Sequence, residues 1–583
     1  MISHSSAYFT EQELSEKYGL SHTLIKRYLP RPRLKRDPRY RHAAPQKLWK
    51  VSEVLTALQD PALKAEIARA RAREERARRK ADSINEFLLS FDIENLREKA
   101  LTLDRHFVLH IGPTNSGKTH DALEALKKAG SGQYLGPLRL LALEMFDRLN
   151  ADGCPCSLLT GEEFIDVEGA MHTASTIELA DYDARYETAV IDEAQMMADP
   201  FRGDRWVRAL YTIDAAEVHV CLAPEAEQLV LNILKGFDAP YEIVRHERLA
   251  PLKYAGIMKS VRDAEPGDAL IVFSRRAVLA VSAELEHAGL KSSVIYGALP
   301  PASRREEVRR FTEKETQVVV ATDAIGMGVS LPIRRIIFCE ITKYDGKKTR
   351  LLNSGEIKQI AGRAGRFGIY DEGLVLTMAD EKLIEGGISC PESSSDRLTL
   401  PFPEEAVDSP YPLDELMTQW NKLPAASGFV RADMAESIEL YKHLKSAAKK
   451  MDRKMVYKLI TCPIDIKNDD VVLYWLECCR AIQKNRVLPE PSAGTDTLED
   501  CELRYKQLDV RHQLLRRIGI EEDRMEEKLE LSRRINEFLE QDKDRYLRHC
   551  SRCGRILPAT SSYGLCDRCF RALSYRRYGS FEQ

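Results

Sequence analysis

The chain has 583 residues, of which 44% are hydrophobic and 30% charged, and a formal net charge of −3. That length exceeds one compact core and predicts about three to five domains, while the near-neutral balance excludes a uniformly basic nucleic-acid coat but not a local basic channel. No apolar run approaches the ~20 residues of a membrane-spanning helix, and thirteen cysteines, an odd number scattered along the chain, do not read as a disulfide framework.

The first residues lack a basic leader followed by an apolar stretch, and Glu11, Glu13 and Glu16 disfavour an organelle transit peptide, so the expected location is cytoplasmic. Residues 1–60 read as a small basic module. Thr10 caps a helix that stops at Gly19, and Ser21 caps a second short helix over Leu24 to Leu29, a helix-turn-helix-like pattern. Lys26, Arg27, Arg31, Arg33, Lys35, Arg36, Arg39 and Arg41, interleaved with Tyr28 and Tyr40, suit phosphate contacts plus stacking; a packing module with a solvated basic loop is the alternative. Residues 61–100 open on a run of Ala, Arg and Glu with almost no apolar stripe, which reads as a charged helical linker.

From there to residue 395, apolar runs such as Phe107–Leu109, Ala189–Ile191, Val218–Leu222, Ala269–Phe273, Val318–Ala321 and Arg335–Phe338 alternate with helical stretches. This is the pattern of parallel sheets covered on both faces, and it divides into two α/β domains at 101–250 and 251–395, with a break near Leu249 to Leu252.

Gly112, Pro113, Thr114, Asn115, Ser116, Gly117, Lys118 and Thr119 follow the first of these runs and complete the phosphate-loop pattern G-x-x-x-x-G-K-[ST]. The glycines let backbone N–H groups approach phosphate oxygens at the positive end of a helix. Lys118 is placed to reach the outer phosphates of a nucleotide and Thr119 to hold Mg²⁺. After the strand ending at Ile191 come Asp192, Glu193, Ala194 and Gln195. Two carboxylates at a strand's C-terminal end suit Mg²⁺ binding by Asp192 and activation of the attacking water by Glu193. In the second domain, Gln359-Ile-Ala-Gly362-Arg363-Ala-Gly365-Arg366 puts two arginines on one helix face. Arg366 and Arg363 suit neutralisation of charge on the transferred phosphate once two domains close, with Gln359 sensing the γ-phosphate or its water.

Together, Gly112 to Thr119, Asp192 to Gln195, Ala321 to Gly328 and Gln359 to Arg366 resemble a superfamily-two helicase. Tyr134 to Ala142, Thr160-Gly161-Glu162, Ala194 to Met196, Asp199 to Gly203, Val272 to Arg275 and Tyr296 to Pro301 extend the likeness, in order, to the mitochondrial degradosome RNA helicase family and its bacterial relatives. The resemblance implies two tandem RecA-like domains, ATP-dependent unwinding with 3′-to-5′ movement, and single-stranded RNA as the leading substrate. It places Gly326 beside the nucleotide and Pro137, Arg139, Thr160, Gly161, Thr173, Ser274 and Thr322 on the strand-binding face. It also suggests an exoribonuclease as a protein partner of an otherwise monomeric chain. The stretch Cys221-Leu-Ala223-Pro224-Glu225 departs from the family pattern that links ATP to strand binding.

Residues 396–545 read as a helical C-terminal region interrupted by a loop at Pro489 to Gly494. In the tail, 546–583, Cys550, Cys553, Cys566 and Cys569 have the C-x₂-C…C-x₂-C spacing of a zinc site, whose metal would supply folding free energy to a module with little core. A redox pair of disulfides or an accidental cluster are the alternatives. Arg552, Arg555, Arg568, Arg571, Arg576 and Arg577, with Tyr575 and Tyr578, suit nucleic-acid contact, and protein docking suits them nearly as well. The leading expectation is an ATP- and Mg²⁺-dependent RNA helicase. A DNA-acting translocase and an ATP-switched DNA-binding regulator are the alternatives.

Overall fold

The apolar runs of the central region are buried because each becomes an inner strand of a parallel sheet with helices on both faces. In this computed structural model the described residues are 8–35, 45–91, 93–161, 163–326, 331–345, 348–366, 368–390, 397–425, 428–520, 522–541, 543–559 and 563–578. Arg36, Arg39, Tyr40, Arg41, Glu162, Met327 and Gly328, and the side chains of Tyr575, Arg576, Arg577 and Tyr578, lie outside them. The chain divides into two compact units between Ser90 and Phe91.

In the first unit, Thr10 and Glu13 exchange side-chain and backbone hydrogen bonds as a capping box for helix Glu11–Tyr18. Gly19, at φ 71°, ends it, and Ser21 caps helix His22–Tyr28. The helix, glycine turn and helix expected from the sequence are therefore present. Around them lies a three-stranded antiparallel sheet, with Gln46–Lys50 between Tyr8–Thr10 and Arg33–Lys35. These strands escaped the sequence reading because they are short and Arg33–Lys35 is exposed along its whole length. Helix Pro61–Leu89 starts on an Asp60 cap, and its Leu63 and Ile67 pack with Leu14, Leu24, Ile25 and Trp49. Its first turns thus belong to the module's core, and residues 71–80 are exposed throughout. Arg27 and Tyr28, expected to face nucleic acid, both bond to Glu66 of this helix, at 2.9 and 3.0 Å.

In the second unit, an eight-stranded sheet runs in the order Tyr241–Arg245, His106–Ile111, Ala215–Leu222, Tyr186–Ile191, Gly132–Gly136, His172–Thr176, Cys156–Leu159, Phe164–Ile165. All pairs are parallel except the last. A second, wholly parallel sheet runs Leu252–Ile257, Gly373–Thr377, Arg335–Phe338, Asp268–Ile271, Val318–Ala321, Ser292–Ile295. Trp206, Phe107 and Leu210 are buried against one face of the first sheet, and Phe338, Ile357 and Phe311 against one face of the second.

Among the described residues six α-helices follow: Leu413–Lys422, Ala435–Ala448, Arg453–Ile460, Asp469–Gln483, Leu498–Arg517 and Met525–Gln541, with the expected break between the fourth and fifth. Leu498, Tyr505, Leu531 and Ile535 from the last two pack with Val272, Val278 and Leu299 of the second sheet domain. The tail is a two-stranded antiparallel pair, Arg548–His549 with Ile556–Leu557, and helix Asp567–Tyr578. Among the described residues no helix is long and apolar enough to cross a membrane.

Candidate nucleotide site and strand-facing surface

Strand His106–Ile111 delivers the chain into a loop in which Asn115 (φ 61°) and Gly117 (φ 87°) both take left-handed backbone conformations, before helix Lys118–Lys128 begins. Such an alternation turns successive N–H groups inward as an anion nest. A Cβ on Gly112 would lie 2.4 Å from the carbonyl oxygen of His246, so only glycine fits there. Lys118 Nζ donates to the carbonyls of Gly112 and Pro113 at 2.7 and 2.9 Å, which holds its ammonium within the loop. Ser116 Oγ is buried with no partner among the described residues, a donor left for a ligand oxygen.

Asp192 sits at the end of strand Tyr186–Ile191. It accepts from Thr119 Oγ1 at 3.2 Å, Tyr134 OH at 2.8 Å and the Glu193 amide at 2.9 Å, while its backbone carbonyl accepts from Trp206 Nε1. Burial, with the neighbouring Glu193 charge, pushes its carboxyl up to about 6. A hydroxyl and a carboxylate converging on one point form an oxygen donor set that fits Mg²⁺. Glu193 has a φ of 52°, a strained setting for a non-glycine residue that the surrounding bonds must hold. Its carboxylate accepts from Gln195 Nε2, and Gln195 Oε1 accepts from the Ala223 amide at 3.1 Å. The stretch that departs from the family pattern is thus tied to the carboxylate pair through backbone, a link that side-chain identity does not reveal.

The second sheet domain closes the cleft. Arg363 donates from Nε and Nη2 to the Gly326 carbonyl at 3.0 and 2.6 Å, and Glu193, Glu144 and Asp192 act on its charge while desolvation pulls its pKa down. Gln359 packs beside Gly326. Arg366 and Arg363 both act on Glu144 in helix Arg139–Ala151. The Asp192–Glu193 pair acts on the charge of Arg363 across the cleft.

Two features of this cleft have no motif behind them. Arg248 donates to Thr114 O at 3.0 Å, Gly362 O at 3.1 Å and Ala364 O at 2.6 Å, clamping the phosphate loop to the second domain; burial pulls it down to about 10. Asn115 Nδ2 adds a bond to Gly365 O at 2.7 Å. Behind the loop runs a chain of three imidazoles: His246 Nε2 to His110 Nδ1 at 3.0 Å, His110 Nε2 to His219 Nδ1 at 2.9 Å, and His219 Nε2 to Glu217 Oε1 at 2.5 Å. Each ring's Nε2 faces along the chain toward Glu217, so the three contacts can run as one directed series of N–H donors. Burial keeps His110 neutral, pulling it down to about 4. Histidines at 110, 219 and 246 meet only through sheet register, which no single-strand pattern exposes.

The strand-facing candidates are less uniform. Arg139 pairs with Asp509 at 3.3 Å and lies beside Gly161. Thr160 is 1% exposed; its hydroxyl bonds to the Glu163 backbone and its carbonyl accepts from Arg516 at 2.8 Å. The Pro137 carbonyl accepts from Arg202 Nη2. Helix Leu498–Arg517 therefore lies over this corner through Asp509 and Arg516. Thr173 does not join the group. It lies three residues, roughly 10 Å, from the C-terminal end of strand His172–Thr176, where Thr176 stands level with Gly136. On the second domain Ser274 is exposed and caps helix Arg275–His287, whereas Thr322 is 8% exposed and accepts from the Ala324 amide.

In the tail, the sulfurs of Cys550, Cys553, Cys566 and Cys569 all lie within 4.8 Å of one another, with Cys553 Sγ 3.6 Å from Cys566 Sγ. Bonds of ~2.3 Å to a tetrahedral zinc imply sulfur–sulfur edges of about 3.8 Å, so the set fits that ion. The Cys566 amide pulls the Cys550 thiol down to about 6, while its hydrogen bond with Cys553 pushes Cys569 up to about 12. All thirteen cysteines are free thiols.

Comparison with known proteins agrees with this geometry. Residues 94–246 match the DEXQ-box helicase domain of Suv3, and residues 252–368 match the helicase conserved C-terminal domain. A mitochondrial DExH-box ATP-dependent RNA helicase of Arabidopsis thaliana is 41% identical over 350 residues, 59% of this chain and 58% of the relative. The mitochondrial ATP-dependent RNA helicase SUV3L of Oryza sativa subsp. japonica is 36% identical over 434 residues, 70% of this chain and 59% of the relative. The Homo sapiens mitochondrial ATP-dependent RNA helicase SUPV3L1 is 41% identical over 297 residues, 49% of this chain and 38% of the relative. The chain thus spans less than two thirds of the length of these relatives. Their mitochondrial names overturn the cytoplasmic expectation, which rested on the composition of the first residues alone. The two parallel-sheet domains are RecA-like, and the chain belongs to the Suv3 family of superfamily-two helicases.

Proposed function

We propose that this chain is an ATP- and Mg²⁺-dependent RNA helicase that moves 3′-to-5′ along a single strand. The observation that carries the reading is the cleft itself, where the phosphate loop, the Asp192–Glu193 pair and Arg363 come from two domains tied together through Arg248. The relatives' names as RNA helicases supply the substrate class.

Within that reading, Lys118 and the loop amides bind the outer phosphates, and Thr119 with Asp192 holds Mg²⁺. Glu193, fixed by Gln195, orients a water and takes its proton. Arg366 and Arg363 supply positive charge to the transferred phosphate, with Gln359 sensing the γ-phosphate or its water from the same segment. Bound ATP supplies the phosphoryl group whose release is coupled to domain closure. The Gln195–Ala223 bond gives a route from the carboxylate pair toward the rest of the first domain. Arg139, Gly161 and Ser274 offer the side-chain and backbone groups for sequence-blind phosphate contacts. Zinc held by Cys550, Cys553, Cys566 and Cys569 would stabilise the tail.

The test is steady-state ATP hydrolysis by the full chain alone, with single-stranded RNA, and with single-stranded DNA of equal length. RNA is expected to stimulate more than DNA. Equal stimulation by DNA, or none by either, would sink the proposal.

A further inference from the structure

The tail is anchored along helix Arg275–His287 of the second RecA-like domain. The Ala559 amide donates to Glu284 Oε2 at 2.8 Å, and Lys543 pairs with Glu286. Near the other end of that helix the contact leaves a cavity of about 270 Å³, lined by residues that include Arg276, Arg545, Tyr546, Arg548, His549 and Gly564. None of the described residues lining it is acidic. Three guanidinium groups and an imidazole line one hollow with no carboxylate among them, a lining that fits an anion. Arg276 lies two positions from Ser274, the exposed cap of the same helix and a strand-facing candidate.

On either side of Gly564 in sequence the tail exposes two large rings. Tyr563 is 67% exposed and Phe570 50%, and their centroids are 5.8 Å apart. Arg568 and Arg571 on the same helical segment as Phe570 are also exposed, as are Arg552 and Arg555. Exposed aromatic faces among guanidinium groups match unpaired bases on a phosphate backbone, which offer π-faces and negative charge at once. An apolar protein surface would match the rings, but not the cationic hollow lined by Gly564, the neighbour of Tyr563 in sequence.

Resting on the RNA helicase reading, we propose that Arg276, Arg545, Arg548 and His549 form a phosphate subsite that leads a single RNA strand from Ser274 onto the tail, where Tyr563 and Phe570 stack its bases. The tail is then an extension of the strand track and not only a folded appendage.

The test uses the full chain and fluorescent oligouridylates of about 6 and about 20 nucleotides, the shorter sized for the core alone. The Tyr563→Ala/Phe570→Ala double variant is expected to bind the longer strand about tenfold more weakly, with the shorter strand little changed and zinc content equal to that of the parent chain. Arg545→Ala is expected to lower the salt slope for the longer strand by about one counterion. Unchanged affinity for the longer strand at full zinc content would overturn the proposal, and so would loss of a protein partner with RNA affinity intact. The parent chain's stimulation by RNA is read separately: if it is absent, the helicase reading fails, whereas an unaltered double variant with stimulation present sinks only the role of the tail.

Discussion

The nucleotide cleft and the strand-facing corner are built in opposite ways. In the cleft, most groups that matter lie within a few residues of one another in sequence, and one loop or strand end sets their geometry: Gly112 to Thr119, Asp192 to Gln195, Gln359 to Arg366. At the strand-facing corner, Arg139 and Thr160 are held by Asp509 and Arg516 of helix Leu498–Arg517, 370 and 356 residues further along the chain. In the proposed reading, chemistry that needs sub-ångström placement is encoded locally, and a surface for any strand sequence is shaped by a distant helix laid across it.

The sharpest way to isolate the cleft is Lys118→Ala, which removes the charge held in the phosphate loop. Turnover is expected to fall by at least about a thousandfold, the scale seen when a charge aimed at a transition state is lost. RNA binding without nucleotide should stay within about twofold, since that surface is built elsewhere. Paired loss of both in an equilibrium binding assay would show that cleft and corner are not separable.

The imidazole chain asks whether the cleft's local appearance is complete. His110, buried between His219 and His246, has its pKa pulled down to about 4 in the folded chain, against an ordinary value near 6.5. The unfolded chain therefore binds more protons between those values, so this contribution is fully present above pH 6.5 and is lost as pH falls toward 4. The groups facing the chain are Glu217, Asp121, Lys118 and the Ser116 backbone, and His246 is shifted in the same direction. Loss of roughly 3 kcal/mol across that window is expected. His110→Asn should flatten the fall in unfolding midpoint with pH, and identical pH profiles for the two proteins would remove the chain from the account.

Arg248 tests the boundary between the two modes, because it serves the cleft without belonging to a motif. Arg248→Ala leaves the carbonyls of Thr114, Gly362 and Ala364 without their donor and loosens the domain contact. A drop in kcat of about tenfold or more is expected, with a smaller change in KM, because the clamp acts on closure more than on capture. A change confined to KM would make Arg248 a simple binding residue.

These cases show where the sequence was legible. Strands Val318–Ala321 and Arg335–Phe338 coincide with the runs read from the sequence, because an inner strand buried on both faces is apolar over most of its length. The zinc-type cysteines converge because two short knuckles leave few other arrangements. The strand-facing threonines were harder to read. His172-Thr-Ala-Ser-Thr176 carries three hydroxyl residues, and only the register against Gly132–Gly136 shows that Thr176, not Thr173, reaches the C-terminal edge. Arg248, the imidazole chain and the three-stranded sheet of the first unit all depend on pairings between distant segments. Local periodicity does not record those.

The smallest expected effect is at the corner itself. Asp509 holds Arg139 at 3.3 Å, accepts from Gln513 at 2.8 Å and lies 3.8 Å from Lys528, so its carboxylate stands among cations much as a phosphate of a bound strand would. Asp509→Asn keeps the shape and removes the charge that competes for Arg139. A half-exposed pair of this kind is worth about 0.5–1 kcal/mol, so single-stranded RNA should bind about threefold tighter, with a steeper salt dependence as one more cation becomes available to phosphate. Weaker binding in the same titration would mean that Asp509 holds Arg139 in its binding pose. Helix Leu498–Arg517 would then be part of the strand-binding surface and not a competitor laid over it.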